Sequence, residues 1–279
     1  METPRYQTAL IVGAGTGLSA ALARLFARDG MRVALAARSP GKLAQLCTET
    51  SARAFACDSA RVDQVRRLFS EVEGTLGEPD VVVYNASARV RGPLVELDPA
   101  EVERALAVTA IGGFLVAQEA ARRMLPRKRG AILFTGASAS IKGYPQSAPF
   151  AMGKFALRGL AQSMARELAP KGIHVGHFVI DGSIGRDPAG EARLDPDAIA
   201  RVREEAWPGA EDADEAMLMK PTGRPYSAPT RAASRLPPSW PRGETVHSMI
   251  ESRGRLRSAS FPPARTAAIS AAARASLPE

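Results

Sequence analysis

The sequence predicts an α/β protein built on a doubly wound parallel sheet, and three observations carry that prediction. Short apolar runs alternate with helical segments through the first 180 residues. A glycine-rich turn, Gly13 to Gly17, joins the first apolar run to the first helix. The run Asp80 to Tyr84 (Asp-Val-Val-Val-Tyr) is β-branched, short and bounded by Pro79 and Asn85, as a buried strand should be. An order of this kind puts helices on both faces of one sheet and ligands across the carboxyl ends of its strands.

Taken in order, Thr8 to Val12 is a strand that stops at glycines. Ser19 to Arg28 sets Leu22, Leu25 and Phe26 on one helical face, with Gly30 as its stop. Arg32 to Ala37 and Arg53 to Cys57 read as the second and third strands, and a helix follows from about Val62 to Glu73. After the Asp80 to Tyr84 strand comes one long helix, Pro99 to Met124, ended by Pro126. Ala131 to Thr135, the helix Phe150 to Leu168 and the strand His174 to Ile180 complete the pattern. Asp195 to Glu205 can form a short helix, with Pro196 suited to its first turn.

Bulk composition narrows the function classes. A hydrophobic content of 45% in 279 residues supplies a large core. No run approaches the ~18 apolar residues of a membrane span, and the polar start, Met1 to Gln7, shows no signal peptide. A cytoplasmic protein is the default expectation. Cys47 and Cys57 give neither a disulfide framework nor metal-ligand spacing. His174, His177 and His247 are too scattered for a metal site, and none is expected. The net charge of +8 sits at the end of the chain: from Lys220 onward there are ten basic residues against three acidic ones. The remaining 219 residues hold 27 basic and 26 acidic side chains, which gives no reason to expect a nucleic-acid-binding face.

The chemistry-bearing residues cluster at strand ends. Gly13-Ala14-Gly15-Thr16-Gly17-Leu18 lies between strand and helix, where glycines let the backbone approach a pyrophosphate at the helix N-terminus. Arg38, at the end of the second strand, matches a 2′-phosphate, where an acidic residue would accept from the 2′-hydroxyl of NAD. This favours NADP over NAD.

With these residues, Cys57-Asp58, Asn85-Ala86-Ser87-Ala88, Phe150 to Lys154 and Lys171-Gly172-Ile173-His174-Val175 fall at joint intervals that resemble the short-chain dehydrogenase/reductase family, over roughly residues 6 to 185. The resemblance implies a Rossmann-like fold and hydride transfer between a nicotinamide cofactor and a small carbonyl or alcohol. It assigns Gly13, Gly15, Thr16, Gly17, Leu18, Arg38, Asp58, Asn85 and Lys154 to the cofactor. Ser19 stands in for the family's third glycine, and Tyr84 for the first Asn of its Asn-Asn-Ala-Gly.

The same resemblance exposes departures. The family's Tyr-x-x-x-Lys becomes Phe150 to Lys154, so the position of the proton donor holds a ring without a hydroxyl. The family's Ser falls at Ala137 by spacing, with Ser138 one residue later and Ser140 as a second candidate. The Asn of its water relay becomes Thr109; its Pro-Gly becomes Asp181-Gly182; its carboxamide-contacting Thr falls near Arg186. Ser147, Tyr144 and Asp181 are possible substitute donors. The catalytic set is therefore Lys154, Ser138, Phe150 and Thr109. The alternative is a catalytically inactive nucleotide-binding protein, a sensor or oligomer partner. A small-molecule substrate and a homo-oligomer are expected, without membrane or nucleic acid.

Two segments divide the chain: residues 1–220 as the domain and 221–279 as a basic tail. The tail is rich in Pro, Ser, Ala and Arg, with nine prolines in 59 residues, and is expected to be disordered apart from a weak helical stretch, Thr266 to Ala275. Family members close the sheet with a seventh strand, for which Thr245 to Ile250 is the one short candidate. Three readings stand: the strand is missing and an edge is exposed, the tail derives from a shifted reading frame, or it is an arm for anionic partners.

Overall fold

The computed structural model describes residues 6–180, Ile184 and residues 217–219. All belong to one compact unit, Met1–Pro229. Seven parallel strands form one sheet in the order β3-β2-β1-β4-β5-β6-β7. They are β1 (Thr8–Val12), β2 (Arg32–Ala37), β3 (Arg53–Ala56), β4 (Val81–Tyr84), β5 (Gly130–Thr135), β6 (Ile173–Ile180) and β7 (Met217–Met219). The strand order reverses between β1 and β4, which pair from Ala9 with Val81 to Val12 with Tyr84. A doubly wound sheet opens its ligand crevice at that reversal.

Burial explains why these runs became strands. Leu10, Ile11, Val81, Val82 and Val83 are fully buried. β-branched and aliphatic side chains at such positions each contribute ~1.5–3 kcal/mol. On one face the strands pack against α1 (Leu18–Arg28) and α2 (Ala44–Thr50), through Leu22, Phe26 and Leu46. On the other they pack against α3 (Val62–Leu76), α5 (Gly112–Arg127) and α6 (Ala148–Leu168), through Phe69, Met124 and Leu157.

Three sequence expectations need correction. First, α2 was not foreseen, because only Leu46 of its seven residues is buried and no apolar period announces it. Second, the long helix is not continuous. It divides into α4 (Pro99–Leu106), a π-turn (Ala107–Ile111) and α5, which runs through Pro126 to Arg127. Pro126 has no N–H to donate back along the helix, and the helix ends two residues later at Lys128, in the left-handed region with φ of 50°. Third, the edge of β6 is not bare: Met217–Met219 pairs with Phe178 to Ile180. A three-residue strand without β-branched residues carries no readable pattern. Thr245 to Ile250, the Asp195 to Glu205 helix and the whole segment 221–279 lie outside the described residues.

At the amino ends of the strands Asp80 is a buried hub. Its Oδ2 accepts from the backbone N–H of Gln7 at 2.7 Å, and its Oδ1 accepts from Arg127 at 2.9 Å. Arg129 approaches Oδ2 at 3.5 Å, and the Asp80 backbone bonds both Thr8 and Ala131. One carboxylate thereby ties β1, β4 and β5 together at the end opposite the glycine-rich turn. Removing one partner of so buried a charged group costs several kcal/mol, about 3–5.

Candidate active site

The site forms where β1 and β4 end. Gly13 has φ of +83°, and a Cβ there would lie 2.3 Å from the backbone nitrogen of Ala86, so only glycine fits. The turn is held by Gly13 and Ala14 N–H groups donating to the Ala36 carbonyl at 3.0 and 2.9 Å. Ser19 is buried and donates to the Gly13 carbonyl at 3.2 Å. Asn85 donates through Nδ2 to the Ser19 oxygen at 2.7 Å. Ser19 thus latches the glycine-rich turn to the end of β4, a role its sequence position did not reveal.

The helix that follows is open at its start. Gly17 caps α1 without a side-chain hydrogen bond, and no acidic residue occupies the first turn. Around Gly15 and Gly17 nothing lies within 4 Å of where a Cβ would be. The backbone N–H groups and the positive end of the helix dipole are therefore presented to the crevice, the arrangement that binds an anion. Leu18 can contribute only its backbone, since its side chain is in the core. Thr16 and Arg38 are exposed, and among the described residues Arg38 has no carboxylate partner. Asp58 is half-buried; its Oδ1 accepts from Ala60 N–H at 3.0 Å and its own N–H donates to Gln64 at 2.8 Å.

Further along the crevice stand Phe150 and Lys154, on the first turns of α6. Lys154 is 3% exposed and donates to the Thr135 carbonyl at the carboxyl end of β5, at 2.7 Å. Its Nζ lies 5.7 Å from the centre of the Phe150 ring. The ring is 9% exposed, and the guanidinium of Arg89, on the loop after β4, lies over it at 4.2 Å. Sequence reasoning missed Arg89, because nothing in a loop sequence says which way a side chain folds back.

Thr109 sits in the π-turn, buried, and its Oγ1 accepts from Ala88 N–H at 3.0 Å. A Cβ on Gly153 would meet Thr109 Cγ2 at 2.8 Å, so α6 approaches the π-turn as closely as a glycine allows. Tyr84 explains the turn. Its buried hydroxyl donates to the Val108 carbonyl and lies 3.1 Å from the Ser59 hydroxyl. Burial pushes its phenol far above the usual range, so Tyr84 acts as a neutral hydrogen-bonding strut. π-turns release backbone carbonyls in this way and recur at functional sites.

Of the serine candidates, Ser140 is committed elsewhere: it is fully buried, accepts from Ala137 N–H at 3.1 Å and lies 3.4 Å from His177 Nε2. Ser138 is half-buried on the same short turn, which packs against α6. Tyr144 is exposed on the loop before α6, with Lys142 5.2 Å from its ring. Ser147 occupies the position before α6 without capping it. Asp181 and Arg186 lie outside the described residues.

Known proteins share this fold. The family model "short chain dehydrogenase" matches residues 7–182, and the chain belongs to that family. It is 29% identical over 175 residues to short chain aldehyde dehydrogenase 1 of Euphorbia lathyris, covering 61% of each chain. The chain thus spans about three fifths of that relative's length. A short-chain dehydrogenase of Rhodopseudomonas palustris has the same architecture, with 32% identity and a TM-score of 0.68 over 77% of this chain and 98% of the other. A gluconate 5-dehydrogenase of Burkholderia cenocepacia, solved with NADP and tartrate, is 26% identical, with a TM-score of 0.69 over 77% and 94%. No helix among the described residues is long and apolar enough to cross a membrane.

Proposed function

We propose that this chain is an NADP-preferring oxidoreductase of the short-chain type. It would act on a small carbonyl or alcohol substrate at a site that lacks the usual phenol. The observation that carries the reading is the undefended start of α1 beside an exposed Arg38 without a carboxylate partner among the described residues. Both features suit a phosphorylated dinucleotide: the pyrophosphate at the helix N-terminus and the 2′-phosphate against the guanidinium. Gly13, Gly15, Thr16, Gly17 and the Leu18 backbone would hold the pyrophosphate. Asp58 would take the adenine and Asn85 would line the crevice floor. A bound nicotinamide dinucleotide supplies the hydride.

The other tasks fall to the chain. Lys154, fixed by the Thr135 carbonyl, would hold the nicotinamide ribose. Ser138 would orient the substrate oxygen, and Thr109 would anchor a water in place of an amide. Phe150 can only shape the pocket. A positioned proton donor contributes about two to four powers of ten in rate, so slow turnover is expected. The oxygen-free ring equally favours a second reading, a nucleotide-binding protein without catalysis that senses the cofactor or pairs with an active relative. Titration with NADPH and NADH, followed by turnover against a panel of carbonyl and enoyl compounds, separates the two. Binding without turnover on any member selects the second; absence of binding removes both.

A further inference from the structure

Two exposed arginines on the loop after β4, Arg89 and Arg91, have no carboxylate partner among the described residues. Among the described residues neither forms an ion pair, and the acidic residues that follow on the chain do not serve them. Asp98 accepts from Ala100 N–H at 3.0 Å and lies 4.0 Å from Arg104, while Glu96 pairs with neither arginine. Arg89 is the more informative of the two. Its guanidinium carbon lies 4.2 Å from the centre of the Phe150 ring. A guanidinium lying over an aromatic face spends its faces on the ring and keeps its N–H donors at the edges, where a carboxylate can take two of them. Burial and the neighbouring charge of Arg91 both lower the pKa of Arg89, and no carboxylate opposes them. Gly92 N–H donates to the Gln146 carbonyl at 3.2 Å, which ties this loop to the one before α6.

We infer that Arg89, supported by Arg91, binds the carboxylate of the substrate, so that the pocket takes a short oxo or hydroxy acid. This rests on the reading of the crevice as an oxidoreductase site. The contact distance sets the size of the molecule. Because the guanidinium touches the ring that marks the reacting centre, its carboxylate partner lies next to that centre. The acid group therefore stands one or two carbons from the oxo or hydroxyl carbon, as in 2- and 3-oxo acids. A long neutral ketone would leave the arginines unpaired.

The test compares an acid with its neutral ester. The full chain, with and without saturating NADP⁺, which cannot reduce an oxo compound, is titrated calorimetrically with 2-oxobutanoate, methyl 2-oxobutanoate and dihydroxyacetone phosphate. The acid should bind at least about tenfold tighter than the ester, the size of one charge-assisted hydrogen bond. Arg89→Gln should erase that preference and leave ester affinity, NADPH affinity and thermal midpoint near those of the parent. Equal affinity for acid and ester, or a preference that survives Arg89→Gln, overturns the inference. Tight binding of the phosphate ester without any preference for the acid also overturns it. Acid preference in a chain that binds no dinucleotide keeps the anion site and removes the catalytic reading, so the two fail separately.

Discussion

Placing a phenol at position 150 is the most direct test of the proposed chemistry of this pocket. Phe150→Tyr adds one oxygen to a ring that is 9% exposed and lies 5.7 Å from the Lys154 ammonium, with Arg89 over its face at 4.2 Å. A unit charge about 6 Å from the ring, with an effective dielectric constant of about 20, favours the phenolate by about 3 kcal/mol, so Lys154 lowers the new phenol's pKa while burial of the ring opposes that shift. Such a group is protonated at neutral pH and can still release its proton, as a general acid must. The substitution should raise carbonyl reduction by about two to four powers of ten. Steady-state NADPH oxidation, followed by absorbance across pH 6 to 10, provides the assay. Reduction by the variant should be level at low pH and fall as pH rises past the new phenol's pKa, because the acid form is lost; the parent should show no such inflection. Parent turnover as fast as that of the variant would refute the reasoning, and Tyr144 and Asp181 would then be the donors to replace.

Other expectations follow from the same geometry. NADPH should bind at least about tenfold tighter than NADH, a difference of ~1.4 kcal/mol, and Arg38→Ala should abolish that ratio; fluorescence titration decides it. Tyr84→Phe strands the Val108 carbonyl inside the protein and should cost about 1–3 kcal/mol, read as a lowered denaturation midpoint, whereas an unchanged midpoint would deny Tyr84 its role as a strut. Gly13→Ala combines a disfavoured φ of +83° with a Cβ 2.3 Å from Ala86. It should destabilise by about 1–3 kcal/mol from strain alone and weaken NADPH binding beyond tenfold, as measured by calorimetry.

The sheet was readable because its strands are buried on both sides and therefore announce themselves as apolar runs; Val81 to Val83 is the clearest case. The glycine-rich turn was readable because only glycine satisfies the geometry at Gly13. What escaped was decided by contacts distant in sequence. The π-turn depends on a hydroxyl from β4 reaching Val108, 24 residues away, and no helical period records that. Ser140 and Ser138 look alike in a sequence, yet a neighbouring imidazole and the Ala137 N–H occupy only Ser140. Arg89 carries no signal in the sequence, and only the fold lays it on Phe150.

The carboxylate of Asp80 has a mechanical consequence. It fastens the base of β1, β4 and β5, while the loops beyond Asn85 and Gly136 leave the opposite rim. The two ends are fastened by different means: a buried charge with two arginines at the base, and neutral latches plus the Lys154–Thr135 bond where the crevice opens. A graft of foreign loops onto that rim should be tolerated, whereas even a conservative change at Asp80 should loosen the whole sheet.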